Sequence, residues 1–398
     1  MAGLTINRPN RCPNTYLDLS SVPSTKNRKH GIAAVLRGPL CLKWYTSYLI
    51  FSFTVFGAMF LLAKELDDNF TESSLRLVVL PREVQSCKNF MSLIEDAAEK
   101  ESEPLSVKTM TLNTWLSGKK FDNGLLKIAN QIRASNADIV FLQEITSYSI
   151  LKKLAQLTPS YSFAGHPYWK EHLGGTLVAL GTKHQIVMTF KPLESSLWEL
   201  LTGMNTFKQL LMGCRIRFND SNKEVDAWSV HLAPWPSSPH NIIDLKRPPT
   251  ESDLRNNEKF RIKNMARILL HPPLSESLNA SCDRPIILGG DFNSPSHLDW
   301  SKDLKARHNG KEASWPVSMM LAQNGFKDTY RQVHPNPRKY PGHTWSTTEK
   351  DDPQDRLDFI YYIGDKLTPI GSRITAGEDA FSEWPSDHYS VVTDFVFS

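Results

Sequence analysis

The chain has 398 residues, enough for two or three domains of ordinary size, and its 40% hydrophobic share with 20 Gly excludes wholesale disorder, a collagen-like repeat and a polytopic membrane protein. With 46 Lys and Arg against 42 Asp and Glu, the net charge of +4 is too weak to predict nucleic-acid binding. Five Cys without paired CxxC spacing exclude both a disulfide-built scaffold and a structural zinc site.

In chain order, residues 1–43 are rich in Pro, Asn, Ser and basic side chains and read as a mobile cytosolic tail. Residues 44–63, WYTSYLIFSFTVFGAMFLLA, carry no charge and as a helix would be roughly 30 Å long, the thickness of a bilayer core. Trp44, Tyr45 and Tyr48 sit at one end, where amphipathic rings favour the headgroup level. Seven Lys or Arg precede this run against Asp18 alone, whereas Glu65, Asp67, Asp68 and Glu72 follow it. The positive-inside rule then predicts a single-pass, type II membrane protein with its bulk lumenal or extracellular, anchored in the lipid bilayer through 44–63. Sequons at Asn69, Asn219 and Asn279 accord with that topology, in which Cys87, Cys214 and Cys282 would meet an oxidising compartment; three is odd, so at least one would stay free or pair between chains. Residues 64–104 are acidic and read as a stalk.

From about residue 105 to 398 the pattern becomes one long alternation of strands and helices. Val107–Leu112 predicts a strand ending in Asn113, and Leu125, Ile128, Ala129 and Ile132 share one helical face. Buried strands are predicted for DIVFLQE (138–144), VDAWSVHL (225–232), RPIILGGDFN (284–293), RLDFIYYI (356–363) and HYSVVTDFVF (388–397). Between them, residues 193–214 carry an apolar stripe of Leu197, Leu200, Leu201, Met204, Phe207, Leu210, Leu211 and Met212, which predicts an amphipathic helix packed on the domain or lying on a membrane interface.

Several of these strands deliver polar residues to their ends: Asn113, Glu144, His231, Asp291, Asn293, Asp358, Asp387 and His388. Each alone has a structural explanation. Asp358, for example, could be the ion-pair partner of Arg356. Gathered at one sheet edge, four carboxylates, two amides and two imidazoles would repel one another and resist desolvation, and a divalent cation would relieve that cost. Oxygen-rich ligands with few His and no Cys cluster suit Mg²⁺ or Mn²⁺. Such a set suits phosphoester hydrolysis by water without a covalent intermediate. No G-x-S-x-G elbow or P-loop is present.

The ordered series LNTW (112–115), LQE (142–144), HLAP (231–234), GGDFN (289–293), RLDFI (356–360) and SDH (386–388) resembles the endonuclease/exonuclease/phosphatase superfamily, over about 290 residues. That group includes pancreatic-type deoxyribonucleases, abasic-site endonucleases, neutral sphingomyelinases and inositol polyphosphate 5-phosphatases. The resemblance implies an α/β fold, a four-layered α/β sandwich of two packed mixed sheets flanked by helices. It further implies Glu144 as principal metal ligand, Asn113 supporting metal or phosphate, and Asp387 assisting metal binding or holding the site. Asp291 would orient or deprotonate the attacking water, with Asn293 on the phosphate. His388, polarised by Asp358, would contact the scissile phosphate, and His231 would act as general acid or phosphate ligand. Thr344 and Trp345 in GHTW (342–345) match a further element. Where abasic endonucleases carry an acidic residue two positions after the first Asn, this chain has Trp115, which loosens the tie to repair enzymes.

Residues 105–398 hold 34 Lys and Arg against 31 Asp and Glu, little attraction for DNA. With the apolar run at 44–63, this favours a membrane-anchored, Mg²⁺-dependent phosphodiesterase acting on a phospholipid such as sphingomyelin. The alternatives are a lumenal nuclease of pancreatic type, to which HLAP points, and a non-catalytic member that binds through the same cleft. No obligate protein partner is evident.

Overall fold

The computed structural model describes residues 104–165, 176–194, 209–219, 221–236, 238–348, 354–375 and 383–398. The expected tail, membrane span and nearly all of the stalk lie outside these residues, as do Asn69 and Cys87. Among the described residues no helix is long and apolar enough to cross a membrane.

The described strands are β1 (Leu105–Asn113), β2 (Ile139–Ile145), β3 (Ser162–Ala164), β4 (Leu177–Thr182), β5 (Gln185–Thr189), β6 (Leu193–Glu194), β7 (Gln209–Arg217), β8 (Glu224–His231), β9 (Ile286–Asp291), β10 (Lys327–Asp328), β11 (Asp358–Ile363), β12 (Leu367–Thr375) and β13 (Ser390–Phe397). One sheet runs β12-β13-β1-β2-β4-β3 and the other β10-β11-β9-β8-β7-β5, with β6 also paired to β7. Each is mixed: β1–β2 and β8–β9 are parallel, and the pairs flanking them are antiparallel.

Alternation along the strands explains the layers. Val107, Ile139, Phe141, Val178 and Leu180 of the first sheet meet Met212, Cys214, Ile216, Ala227, Ile287, Ile360 and Tyr362 of the second in one buried cluster. The intervening residues Met110, Leu112, Val140, Leu142, Leu177 and Ala179 face the other way, onto Ile128, Ala129 and Ile132 of α1 (Gly124–Ser135) and Leu151 and Leu154 of α2 (Tyr148–Leu157). Beside the second sheet, α3 (Ser238–Ile243) leads into α4 (Glu251–Leu269), which contacts β7. A capping box starts α4: the Thr250 side chain accepts from Asp253 N–H while the Asp253 carboxylate accepts from Thr250 N–H. Gly289 is required by the sheet packing, because a Cβ there would sit 2.3 Å from Phe141 Cδ2 of the opposite sheet.

The helix expected over 193–214 is corrected in its C-terminal part. Leu210, Leu211, Met212 and Cys214 belong to strand β7, fully or almost fully buried, and Leu193 to β6. A strand covered on both faces is apolar at consecutive positions, which mimics a helical stripe. Leu197 to Phe207 lie outside the described residues.

Asp355, which bridges to Trp345, is buried beside Trp300, whose Nε1–H donates to its Oδ1 at 2.9 Å. Burial pushes its carboxyl up to about 8, so the folded chain keeps a proton that the unfolded chain releases above about pH 4. Stability should therefore fall as pH rises from about 4 to about 8. Asp355→Asn is expected to flatten that slope, raising the melting temperature relative to wild type at pH 8.5 and much less at pH 5. Parallel melting curves would refute the assignment.

Candidate active site

Strand polarity brings the polar ends together. The parallel pairs deliver C-terminal ends: Asn113 from β1, Glu144 from β2, His231 from β8 and Asp291 from β9. Their antiparallel neighbours deliver N-terminal ends at the same edge, Asp358 of β11 opposite Asp291 and His388 just before β13. His231 is itself the register partner of Asp291 in β8–β9.

At the centre are two facing carboxylates. Asp291 and Asp358 are 1% and 0% exposed. His388 lies between them, Nδ1 at 2.8 Å from Asp358 Oδ2 and Nε2 at 3.8 Å from Asp291 Oδ2. Burial alone would lower the imidazole, but the two carboxylates outweigh it and hold His388 well above its ordinary value, as an imidazolium. Burial would likewise raise Asp291; the charge of His388 and the proximity of His231, whose Nε2 is 3.3 Å from Asp291 Oδ2, hold it down at about 2. Burial and the neighbouring Asp291 push Asp358 up.

Two amides frame this pair. Asn113 Nδ2 donates to Asp291 Oδ2 at 2.9 Å and to Glu144 Oε1 at 3.3 Å. The backbone N–H of Asn293 donates to Asp291 Oδ1 at 2.8 Å, and its Nδ2 donates to Leu232 O at 3.0 Å. Asn293 adopts a left-handed φ of 50°, which Asn tolerates. Glu144 does so at φ 60°, beside a register irregularity between Leu142 and Ile145, and thereby turns out of the β2–β4 ladder. Its Oε2 accepts from Leu116 N–H at 3.0 Å.

Asp387 shares the edge. Its Oδ1 is buried with no hydrogen-bond partner, and burial together with the charge of Glu144 raises its carboxyl against the pull of His388. An orphaned carboxylate oxygen close to a second carboxylate fits a hard divalent cation, with Glu144, Asp387 and Asn113 as the oxygen donors available. Asp291, Asp358 and His388 also bring potential ligand atoms within 4.8 Å of one another. Within that trio His388 Nδ1 is already engaged with Asp358 Oδ2 at 2.8 Å, which fits a proton-holding network.

Several supporting groups complete the edge, among them Thr344 and Trp345 of the GHTW element singled out in the sequence. Ser386 Oγ donates to Asn113 O at 2.6 Å and accepts from His388 N–H at 3.1 Å, tying the first strand to the histidine; its place in SDH is the one available hint. Thr344 Oγ1 accepts from the N–H groups of Leu357 and Asp358 at 2.9 and 3.0 Å, and Trp345 bridges to His388. Arg356 is bidentate to Asp328 at 2.8 and 2.7 Å and reaches Asp299 at 2.9 Å, so it is not the partner of Asp358.

Residues 110–388 match the Endonuclease/Exonuclease/phosphatase family. The chain is 28% identical over 308 residues to the Uncharacterized protein F14F9.5 of Caenorhabditis elegans, a likeness that covers 73% of this chain and 91% of that protein. Its fold is similar to that of an endonuclease/exonuclease/phosphatase from Bacteroides vulgatus, at 15% identity and a TM-score of 0.51, over 74% of this chain and 100% of the other. A functionally unknown conserved protein from Enterococcus faecalis is similar at 14% identity and a TM-score of 0.50, over 73% of this chain and 100% of the other.

The charge network makes a direct prediction. Removing the carboxylate that contributes most to raising His388 should lower the imidazole pKa, so Asp358→Asn is expected to move the His388 titration, read by ¹H–¹⁵N NMR, to lower pH. An unmoved titration would show that Asp358 does not hold the proton on His388.

Proposed function

The chain belongs to the endonuclease/exonuclease/phosphatase family, and on that premise we propose that it is a divalent-metal-dependent phosphodiesterase that hydrolyses a phospholipid by direct attack of water. The observation that carries the chemistry is the buried line Asp358–His388–Asp291. Its histidine is committed through Nδ1 to Asp358, so the Nε2–H is the proton available to a phosphoryl oxygen. A charged donor held in a dry edge stabilises developing negative charge far better than one in water. Asp291, kept ionised at about 2, accepts hydrogen bonds from both framing amides and is aimed to orient a water molecule and take its proton as the bond to phosphorus forms. Asn293 and His231 flank it as phosphate-side donors.

Glu144, Asn113 and Asp387 would hold Mg²⁺ or Mn²⁺, which when bound polarises the phosphoryl group and offsets charge on the leaving oxygen. Glu144 is fixed beforehand by Leu116 N–H and Asn113.

The phospholipid reading is supported by the uncharged run 44–63, which would tether the domain to a bilayer, with the C-terminal bulk lumenal or extracellular. Asn219 and Asn279 are exposed, as glycosylated sequons must be. HLAP (231–234) supports the alternative of a nuclease, and one experiment separates the two.

The full chain in detergent, with Mg²⁺, is assayed on sphingomyelin in mixed micelles and on plasmid DNA in parallel. Release of choline phosphate is expected, reduced by about 10²–10⁴-fold in Asp291→Asn. Nicked plasmid with intact lipid would replace the phospholipid reading with the nuclease one. Independently of turnover, Mg²⁺ should raise the melting temperature of the wild type and leave that of Glu144→Ala unmoved; equal shifts would remove Glu144 from the cation site.

A further inference from the structure

Two loops leave the candidate active site with exposed apolar side chains. Trp235, four residues beyond His231, is 67% exposed, the highest value for a large hydrophobic residue among those described, and Leu298, five residues beyond Asn293, is 41% exposed. Even fully extended, four residues reach about 14 Å, so the backbone of Trp235 lies within that distance of His231.

Neither loop is loose. Arg261 and Glu258 of α4 are both fully buried and paired at 2.7 Å. Arg261 donates from Nη1 to Ala233 O at 3.0 Å and from Nη2 to Pro236 O at 2.7 Å, the carbonyls on either side of Trp235. Glu258 accepts from Ser294 Oγ at 2.6 Å, at the start of the loop that carries Leu298. Asn264 Oδ1 accepts from Ala233 N–H at 3.1 Å. Just beyond the Trp235 loop, the ring of His240 lies 5.9 Å from that of Trp345, the residue bridged to His388. One buried ion pair thus holds backbone carbonyls of the first loop and the Ser294 hydroxyl of the second, while Trp235 and Leu298 are exposed.

We infer that Trp235 and Leu298 form a rim that docks the site onto a phospholipid surface. The inference rests on the phospholipid reading above and adds the residues that would bring the edge to its substrate. Indole rings settle at the headgroup level of bilayers. The chain carries its own apolar run at 44–63, which would hold the domain near a bilayer. With 34 basic against 31 acidic residues, 105–398 offers a polyanion little attraction.

The test uses the full chain reconstituted in phosphatidylcholine vesicles with and without brominated acyl chains. Quenching of tryptophan fluorescence by the brominated lipid is expected to be larger for the wild type than for Trp235→Ala, the difference being the contribution of Trp235. The ratio of turnover on micellar sphingomyelin to turnover on bis(p-nitrophenyl) phosphate should fall about tenfold in Trp235→Ala and also fall in Leu298→Ala, the loss expected for one large apolar side chain no longer buried in lipid. Trp235→Phe should restore most of the ratio. Equal quenching in wild type and Trp235→Ala would overturn the docking, whatever the enzyme hydrolyses. Unchanged quenching with selective loss of oligonucleotide cleavage would overturn it too, making Trp235 a base-stacking residue. If quenching differs as expected and sphingomyelin is not hydrolysed, the rim stands and the substrate reading fails.

Discussion

Asp291 and Asp358 are direct partners in the antiparallel pair β9–β11, and both are buried. Two carboxylates side by side at low dielectric cannot both ionise without a cation. His388 supplies that charge from the other sheet, and the edge of the molecule is organised around this arrangement. Removing one member of such a buried set costs about 3–5 kcal/mol, because the remaining charge is left uncompensated. The requirement also restricts the fold. A one-residue slip of β11 along β9 would turn Asp358 to the opposite face, together with every core side chain of the strand. The hydrophobic cluster between the sheets and the charge network at their edge therefore demand the same register.

A second buried ion cluster keeps these charges sorted. Arg356 stands two residues before Asp358, close enough in sequence to compete with His388 for it. Its guanidinium is instead held by Asp299 and Asp328, and Arg331 shares Asp299. Asp358 is left to the histidine. Arg261 and Glu258 do comparable work on the other side, holding loop carbonyls. Buried pairs of this kind contribute modestly to net stability against their hydrophobic replacements. Their effect here is to fix backbone around the site.

Much of this was legible in the sequence. The apolar runs marked β1, β2, β8, β9, β11 and β13, and their polar ends in order named the residues that the two sheets bring to one edge. Three kinds of feature were not legible. Strand β7 is covered on both faces, so Leu210, Leu211 and Met212 showed no alternation and read as part of a helical stripe. Arg261 and Glu258 lie in a helix whose composition, ESDLRNNEKFRIKNMARIL, resembles a solvated surface; burial at two of its charged positions follows from the loops packed over them, which no local pattern records. The donor that holds Glu144 Oε2 is the N–H of Leu116, and a peptide group has no residue signature.

That last contact depends on backbone that pays a conformational cost. Trp115, Leu116 and Ser117 have φ of 41°, 58° and 61° in succession, and Glu144 joins them at 60°. Non-Gly residues in this region cost roughly 1–3 kcal/mol each and persist where surrounding contacts over-determine them. Ser117 Oγ accepts from Thr146 N–H at 2.9 Å, and Thr114 Oγ1 donates to Gln143 O at 2.8 Å, which locks the turn after β1 against the end of β2. The strained turn places Trp115 N–H on Asn113 Oδ1 and Leu116 N–H on Glu144 Oε2, both at 3.0 Å. Glu144 is thus oriented by the protein alone, while Asp387 keeps a buried oxygen without a partner. One carboxylate is positioned in advance and the other is left destabilised beside it. A divalent cation binding there would gain from both, since ordering Glu144 costs nothing further and the repulsion that raises Asp387 is relieved on binding.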